Sequence, residues 1–284
     1  MKNRLILVEG MPGSGKSTIS RKIRNYLVSN KGLEVVLYNE GDLHPADMAW
    51  NALLTKEEYN NVIKNNKGYE NIIKDNSKFE EDYVIVAYKK LGLRRDKSEL
   101  TQFFEAHEVY DGRVTNDIFK ELHMKRWKKF AEQMKDDKNK IIIFECAFLQ
   151  NHVNELLAIY EKDLNYIKDY LNELIRTVVE LNPKLIYLKQ PSVKETLNRV
   201  SKERVSDNKE VYPDWIDVVI EYFENSNYGK HNNINGFDGL VKYFEKRQEI
   251  ELEVIKSISI DNLVICNHNY EWEEIIDTIL NSLN

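Results

Sequence analysis

A chain of 284 residues is long enough for one sizeable core, and a single elaborated domain over 1–284 is the expected organisation. Lys and Arg number 41 against 47 Asp and Glu, a net charge of −6 that weighs against a non-specific nucleic-acid or membrane-surface binder while leaving room for a local basic groove. Cys146 and Cys266 stand far apart in apolar stretches without metal-ligand or disulfide spacing and are expected as reduced core thiols; with no stretch apolar enough to cross a bilayer and no leader pattern before the first strand, a cytoplasmic protein is expected.

Leu5-Ile6-Leu7-Val8 is a continuous apolar run of the kind a parallel strand buried on both faces requires. It leads into Gly10-Met11-Pro12-Gly13-Ser14-Gly15-Lys16-Ser17-Thr18, which fits the phosphate-binding pattern G-x-x-x-x-G-K-[ST] without a mismatch. Glycines let successive backbone N–H groups converge on phosphate oxygens where Cβ atoms would collide. Lys16 would reach the outer phosphates of ATP or GTP as a flexible charge. The Ser17 hydroxyl would complete the shell of a Mg²⁺ ion, and Thr18 is the next polar group in the same turn. A helix over 17–30 follows, with Ile19, Ile23, Tyr26 and Leu27 on one stripe and Arg21, Lys22 and Arg24 left to water. Its N-terminus directs partial positive charge at the phosphates.

Residues 34–39 read as the second strand. Ligands gather at the carboxyl ends of strands in open parallel sheets, so the acids that follow are candidates for chemistry, Asp42 first. Helix capping is the competing role for Asp42 and for Asp47, and His44 is either a substrate group or a solvated loop histidine. From 46 to about 139 the pattern is mostly helical and too long for an ordinary crossover, which predicts a helical insertion that walls or caps the ligand site. Inside it, Thr55-Lys56-Glu57-Glu58 resembles a capping-box helix start, and 82–91 fits a short strand or a buried helix. Tyr110-Asp111-Gly112-Arg113 is a turn before a helix over 115–135. Arg113 there either clamps an anionic or planar substrate group or is a solvated arginine.

Residues 140–148 give the third strand, with Ile141 to Phe144 as its apolar run and Glu145 at its carboxyl end. A carboxylate so placed can hold the water shell of Mg²⁺ or accept a proton from an attacking hydroxyl, and a buried glutamate wants a partner. Gln150 and its neighbours Asn151 and His152 could read hydrogen-bonding edges of a substrate. A helix over about 154–180, a fourth strand over 185–189 and a helix from 192 follow. That last helix carries Arg199 and Arg204, which either neutralise charge on a moving phosphoryl group or belong to a solvated face with pairs such as Glu195 and Arg199. Residues 212–258 read as amphipathic helix interrupted by a Gly- and Asn-rich stretch over 225–239, suited to a lid hinge or a surface loop. A fifth strand over 262–266 and a helix over 271–283 complete a doubly wound, parallel five-stranded α/β sheet with large helical insertions.

The phosphate loop on strand one, acids after strands two and three, and the Tyr-Leu-x-x-Pro run before an Arg-bearing helix resemble the P-loop kinases of nucleosides, nucleotides and small molecules. The thymidylate kinase and deoxynucleoside kinase branch is nearest in pattern. The resemblance covers the sheet and its flanking helices, about half of the chain, and leaves out 46–139 and 206–258. It implies an ATP- and Mg²⁺-dependent kinase in which Asp42 and Glu145 take the acid roles and Arg199 and Arg204 belong to a lid. Glu145-Cys146-Ala147-Phe148 lacks the arginine that usually follows strand three and engages substrate phosphate or sugar. The expected partner is a small acceptor rather than nucleic acid or membrane, with a homodimer left open. Rival expectations are a nucleotide-hydrolysing switch that uses the insertion as a partner interface, and chemistry on a nucleic-acid end.

Overall fold

The protein is described by a computed structural model over residues 2–93, 98–209, 213–267 and 270–283. Its main sheet contains β1 (Leu5–Glu9), β2 (Glu34–Tyr38), β6 (Lys140–Glu145), β7 (Lys184–Lys189) and β8 (Asp261–Cys266), in the order β2-β6-β1-β7-β8 with every pair parallel. The remaining strands, β3 (Ala52–Thr55), β4 (Ser77–Phe79) and β5 (Tyr83–Val86), form a second sheet within the insertion.

Successive side chains of a strand point to opposite faces, so each central strand feeds two cores. Leu5, Leu7, Ile142, Phe144, Leu185 and Tyr187 face the helices Asn116–Gln133, Leu164–Arg176 and Gly236–Ser257. Ile6, Val8, Ile141, Ile143, Ile186 and Leu188 face the helices Lys16–Lys31 and Trp272–Ser282 through Ile19, Ile23, Leu27, Ile275 and Ile279. This burial on both faces is why the central strands read as unbroken apolar runs. Register sets Val8 beside Glu145, bringing the end of β6 level with the loop that leaves β1.

The five predicted strands and the helices after the first, fourth and fifth of them appear as expected, and the differences lie in the segments after the second and third and in the 225–239 stretch. The 46–139 insertion is not purely helical. Its antiparallel sheet, ordered β3-β5-β4, builds a separate apolar core with Tyr59, Val62, Ile73 and Phe104. Strands of three or four residues are too short to display a period of two, which hid them. The 82–91 segment resolves into both of its alternatives, strand β5 followed by a 3₁₀ turn over Tyr88–Leu91. The expected helix over 154–180 is broken. Gln150–Asn154 runs into a π turn over Glu155–Ile159, and α-helix resumes only at Leu164. Part of the Gly- and Asn-rich stretch is the short helix Asn227–His231, and Gly229 within it packs so closely on the Phe223 carbonyl that a Cβ would lie 1.7 Å away. The predicted start of that region, Tyr212, lies outside the described residues. Cys146 is a buried thiol as expected, but Cys266 is exposed because β8 is an edge strand. No helix among the described residues is long and apolar enough to cross a membrane.

One ionisable group lies wholly inside this frame. Glu9 ends β1 without solvent exposure, and its Oε1 and Oε2 accept the Phe148 and Gln150 amides at 2.7 and 2.9 Å. It thereby ties the end of β1 to the turn after β6. Burial raises its pKa from the usual 4.5 to about 7 despite those amides. The folded state therefore holds this proton longer than the unfolded chain, and the group's stabilising contribution, full below about pH 4.5, is lost as the pH rises through about 7. Glu9→Gln removes the titration. In urea unfolding at about pH 5 and about pH 8, the stability of the variant relative to the parent should shift in the variant's favour by roughly 2–3 kcal/mol at the higher pH.

Candidate active site

The loop after β1 turns back through Ser14, whose N–H donates to the Met11 carbonyl at 3.1 Å. Gly13 and Gly15 take φ of +81° and +93°, a region that side chains with a Cβ enter at a cost. Space excludes a side chain as well. A Cβ at Gly13 would meet Val200 Cγ2 at 2.0 Å, and one at Gly15 would meet the Trp272 ring at 2.3 Å.

Three loop carbonyls are held by side chains. Lys16 Nζ donates to Met11 O at 3.0 Å, Arg199 Nη2 to Gly13 O at 2.7 Å, and Asn267 Nδ2 to Ser14 O at 3.0 Å. Tyr270 joins the same support. Its hydroxyl meets Gly13 O at 3.2 Å and Gln190 Oε1 at 2.9 Å, and its ring lies 4.1 Å beneath the Arg199 guanidinium. With its carbonyls engaged, the loop has amide N–H groups to offer an anion. Ser17 Oγ donates to Glu145 Oε1 at 2.5 Å. A hydroxyl and a carboxylate meeting beside a phosphate loop are hard oxygen donors, which fits Mg²⁺ with most of its waters retained.

These groups form one end of a cavity of about 1060 Å³. Arg204 reaches it across the Trp215 ring at 4.9 Å, and Gln150 lines it with Nε2 3.4 Å from Glu40 Oε1. The other end is acidic. Glu105, Glu108, Asp111 and Glu155 line it together with Tyr110 and Tyr222. Burial raises the pKa of Glu108 to about 8 and of Glu155 to about 7, with neighbouring carboxylates pushing both in the same direction, and desolvation also raises that of Asp111 against the Tyr222 hydroxyl and Arg113. Glu155 receives the Asp111 and Gly112 amides, both at 2.9 Å, and Asp111 accepts from the Tyr222 hydroxyl at 2.9 Å.

Lys16, Ser17, Glu145, Gln150, Arg199 and Arg204 therefore converge on one cavity, as do Pro12, Gly13, Gly15 and Thr18 of the loop. Gly10, Met11 and Ser14 of the loop lie behind that lining, and three expected residues from outside the loop also fail to reach it. Asp42 Oδ2 accepts from the Asn39 amide at 2.7 Å and its carboxylate pairs with Lys90, so it closes the turn after β2. The acid from that turn which reaches the cavity is Glu40, two positions earlier. His44 is buried, not solvated. Its Nδ1 accepts the Ala46 and Asp47 amides at 3.0 and 2.7 Å, its ring packs 4.1 Å from Phe144, and burial lowers its pKa to about 4. Arg113 is exposed and outside the cavity lining. Arg199 pairs with Glu203 at 2.8 Å, not with Glu195. Sequence reasoning passed over Asn267, Tyr270 and Trp272, although polar and aromatic residues immediately after the fifth strand carry the same positional signal as Glu145.

A family model described as "Chromatin associated protein KTI12" matches residues 4–86, from β1 through β5. No curated protein matches the chain. The parallel sheet, the loop and this match agree on a P-loop NTPase-type, nucleotide-binding fold. The narrower expectation of a thymidylate kinase-like branch draws nothing from them.

Gly13→Ala should lower nucleotide affinity at least about tenfold, since both φ and the Val200 contact must give. Adding Val200→Ala should recover melting temperature while leaving affinity low, because the backbone strain remains. Calorimetric titration with ATP and thermal melts of the single and double variants separate the two effects.

Proposed function

We propose that the chain is a Mg²⁺- and nucleotide-dependent phosphotransferase that moves the terminal phosphoryl group of ATP or GTP to a hydroxyl of a small, non-phosphorylated acceptor. The observation that carries this reading is a single cavity with phosphate-binding groups at one end and a walled, acidic and aromatic compartment at the other. Simple hydrolysis needs only the first. An acceptor bearing its own phosphate would meet Glu105, Glu108, Asp111 and Glu155, whereas a neutral or amine-bearing polyol would find hydrogen-bond acceptors there.

In this reading the loop amides and Lys16 orient the β- and γ-phosphates, and Ser17 with Glu145 holds the ion. Mg²⁺, when bound, neutralises charge on the phosphate oxygens. Lys16 must leave the Met11 carbonyl to reach them, a short swing of a flexible stem. Arg199 and Arg204 approach from the Val193–Glu203 helix and its C-cap to meet charge developing on the transferred group. Because Glu145 is engaged with Ser17, the acceptor's proton falls to a carboxylate further along the cavity. Asp111 suits the role, open on the cavity with a carboxyl pKa that desolvation raises.

A second reading, a hydrolysing switch that changes a partner surface, is favoured by the family match over 4–86, whose printed name describes a chromatin-associated protein. Turnover of Mg·ATP against nucleosides, nucleotides, sugars and amino sugars, following free phosphate and product mass together, separates the two. Transfer predicts a phosphorylated, initially phosphate-free acceptor and little free phosphate without it. Lys16→Ala should reduce that transfer by at least about 100-fold, with the melting temperature lowered only by the loss of the Met11 hydrogen bond and the fold retained. Steady phosphate release that ignores every acceptor would replace this reading with the switch.

A further inference from the structure

Directly behind the acidic compartment is a cluster that neither reading uses. Asp47 comes from the loop after β2, His123 from the helix Asn116–Gln133 and His152 from the helix Gln150–Asn154. All three are buried, and one potential ligand atom from each lies within 4.8 Å of the others. His123 Nε2 stands 3.6 Å from Asp47 Oδ1, too far for a hydrogen bond and close to the spacing of two donors on one ion. The two imidazoles cross at 78° with centroids 4.6 Å apart.

The outer contacts of these groups fix what the inner atoms can do. His123 Nδ1 meets the Phe119 carbonyl at 2.9 Å; a carbonyl only accepts, so Nδ1 carries the proton and Nε2 of the neutral ring presents its lone pair. His152 Nδ1 is engaged by the Tyr170 hydroxyl at 3.0 Å, which leaves Nε2 as its inward atom. Neither Nε2 has a hydrogen-bond partner, although neither residue is exposed to solvent. Unmet polar atoms at such depth are costly unless something binds them. Asp47 is held by the Tyr110 hydroxyl at 2.6 Å, the Met48 amide at 2.8 Å and the Asn151 amide group at 2.8 Å. A histidine whose outer nitrogen is fixed by a carbonyl or hydroxyl, and a carboxylate fixed by N–H and O–H donors, is the outer arrangement that orients metal ligands. The nearby cation, Arg126, is directed to the His44 carbonyl at 2.6 Å and to Glu80 at 3.4 Å.

We propose that Asp47, His123 and His152 bind one structural Zn²⁺ ion. Two imidazole nitrogens and a carboxylate oxygen suit zinc, with a trapped water as the fourth donor of a tetrahedron, and the burial of all three residues suits a structural ion rather than a catalytic one. Tyr110 and Asn151 both bond Asp47 and both line the cavity, so the ion would lock the cavity wall to the helix Asn116–Gln133.

The test uses the full chain with saturating Mg²⁺ present to occupy the Ser17 and Glu145 donors. Zinc content is measured as purified by mass spectrometry, then after chelation and re-addition of Zn²⁺ alone. One equivalent is expected, with a melting temperature that falls on removal and recovers on re-addition. His123→Gln and His152→Gln should each lose the tight equivalent and the zinc-dependent melting shift. Should those variants not fold, Co²⁺ in the parent chain decides, with the intense visible bands of a tetrahedral site expected. Parent protein with well under one equivalent that neither binds nor is stabilised by added Zn²⁺ would overturn the proposal. So would glutamine variants that bind and melt like the parent, or a Co²⁺ spectrum of octahedral type.

Discussion

A phosphate loop can present amides to an anion only if its carbonyls are satisfied on the other side, and this is the constraint on which the site depends. Here Met11, Gly13 and Ser14 give their carbonyls to Lys16, Arg199 and Asn267, and Tyr270 crosses between Gly13 and Gln190. The glycines follow from the same demand, since Val200 and Trp272 stand where their side chains would be. The loop is therefore moulded by the helix after β7 and by the segment after β8. Neither is its neighbour in sequence.

The acidic compartment is shaped by a different logic. Four carboxyls crowd one end of the cavity, and burial raises the pKa of three of them, Glu108, Asp111 and Glu155, an arrangement that stability alone would not favour. Their geometry is fixed by short local bonds. Glu155 stands at the start of the π turn and receives two amides from the turn that bears Asp111, so the broken helix and the 110–113 turn hold each other in place. π turns frequently mark functional segments, and here one re-aims the wall of the cavity.

Much of the frame was legible because burial on both faces of a parallel sheet leaves unmistakable apolar runs, and because the loop motif carries its own spacing. Glu145 was legible for the same reason, at the end of such a run. What sequence spacing could not convey was direction. After β2 three ionisable residues follow within six positions, and only backbone geometry decides that Glu40 enters the cavity, Asp42 closes a turn and His44 turns into the core. The small sheet was hidden by strands of three or four residues, too short to display alternation, and the π turn because apolar residues keep helical intervals across it.

The partnership between Ser14 and Asn267 spans 253 positions. A chain leaving the ribosome displays β1 and its glycine-rich loop long before the residues that brace that loop have emerged. Nucleotide competence is thus withheld until synthesis has reached the fifth strand of the main sheet and the turn beyond it. A nascent chain that has not reached Asn267 would display the whole motif and still lack the brace behind it, so the binding site doubles as a check that the segment after β8 has been made and docked.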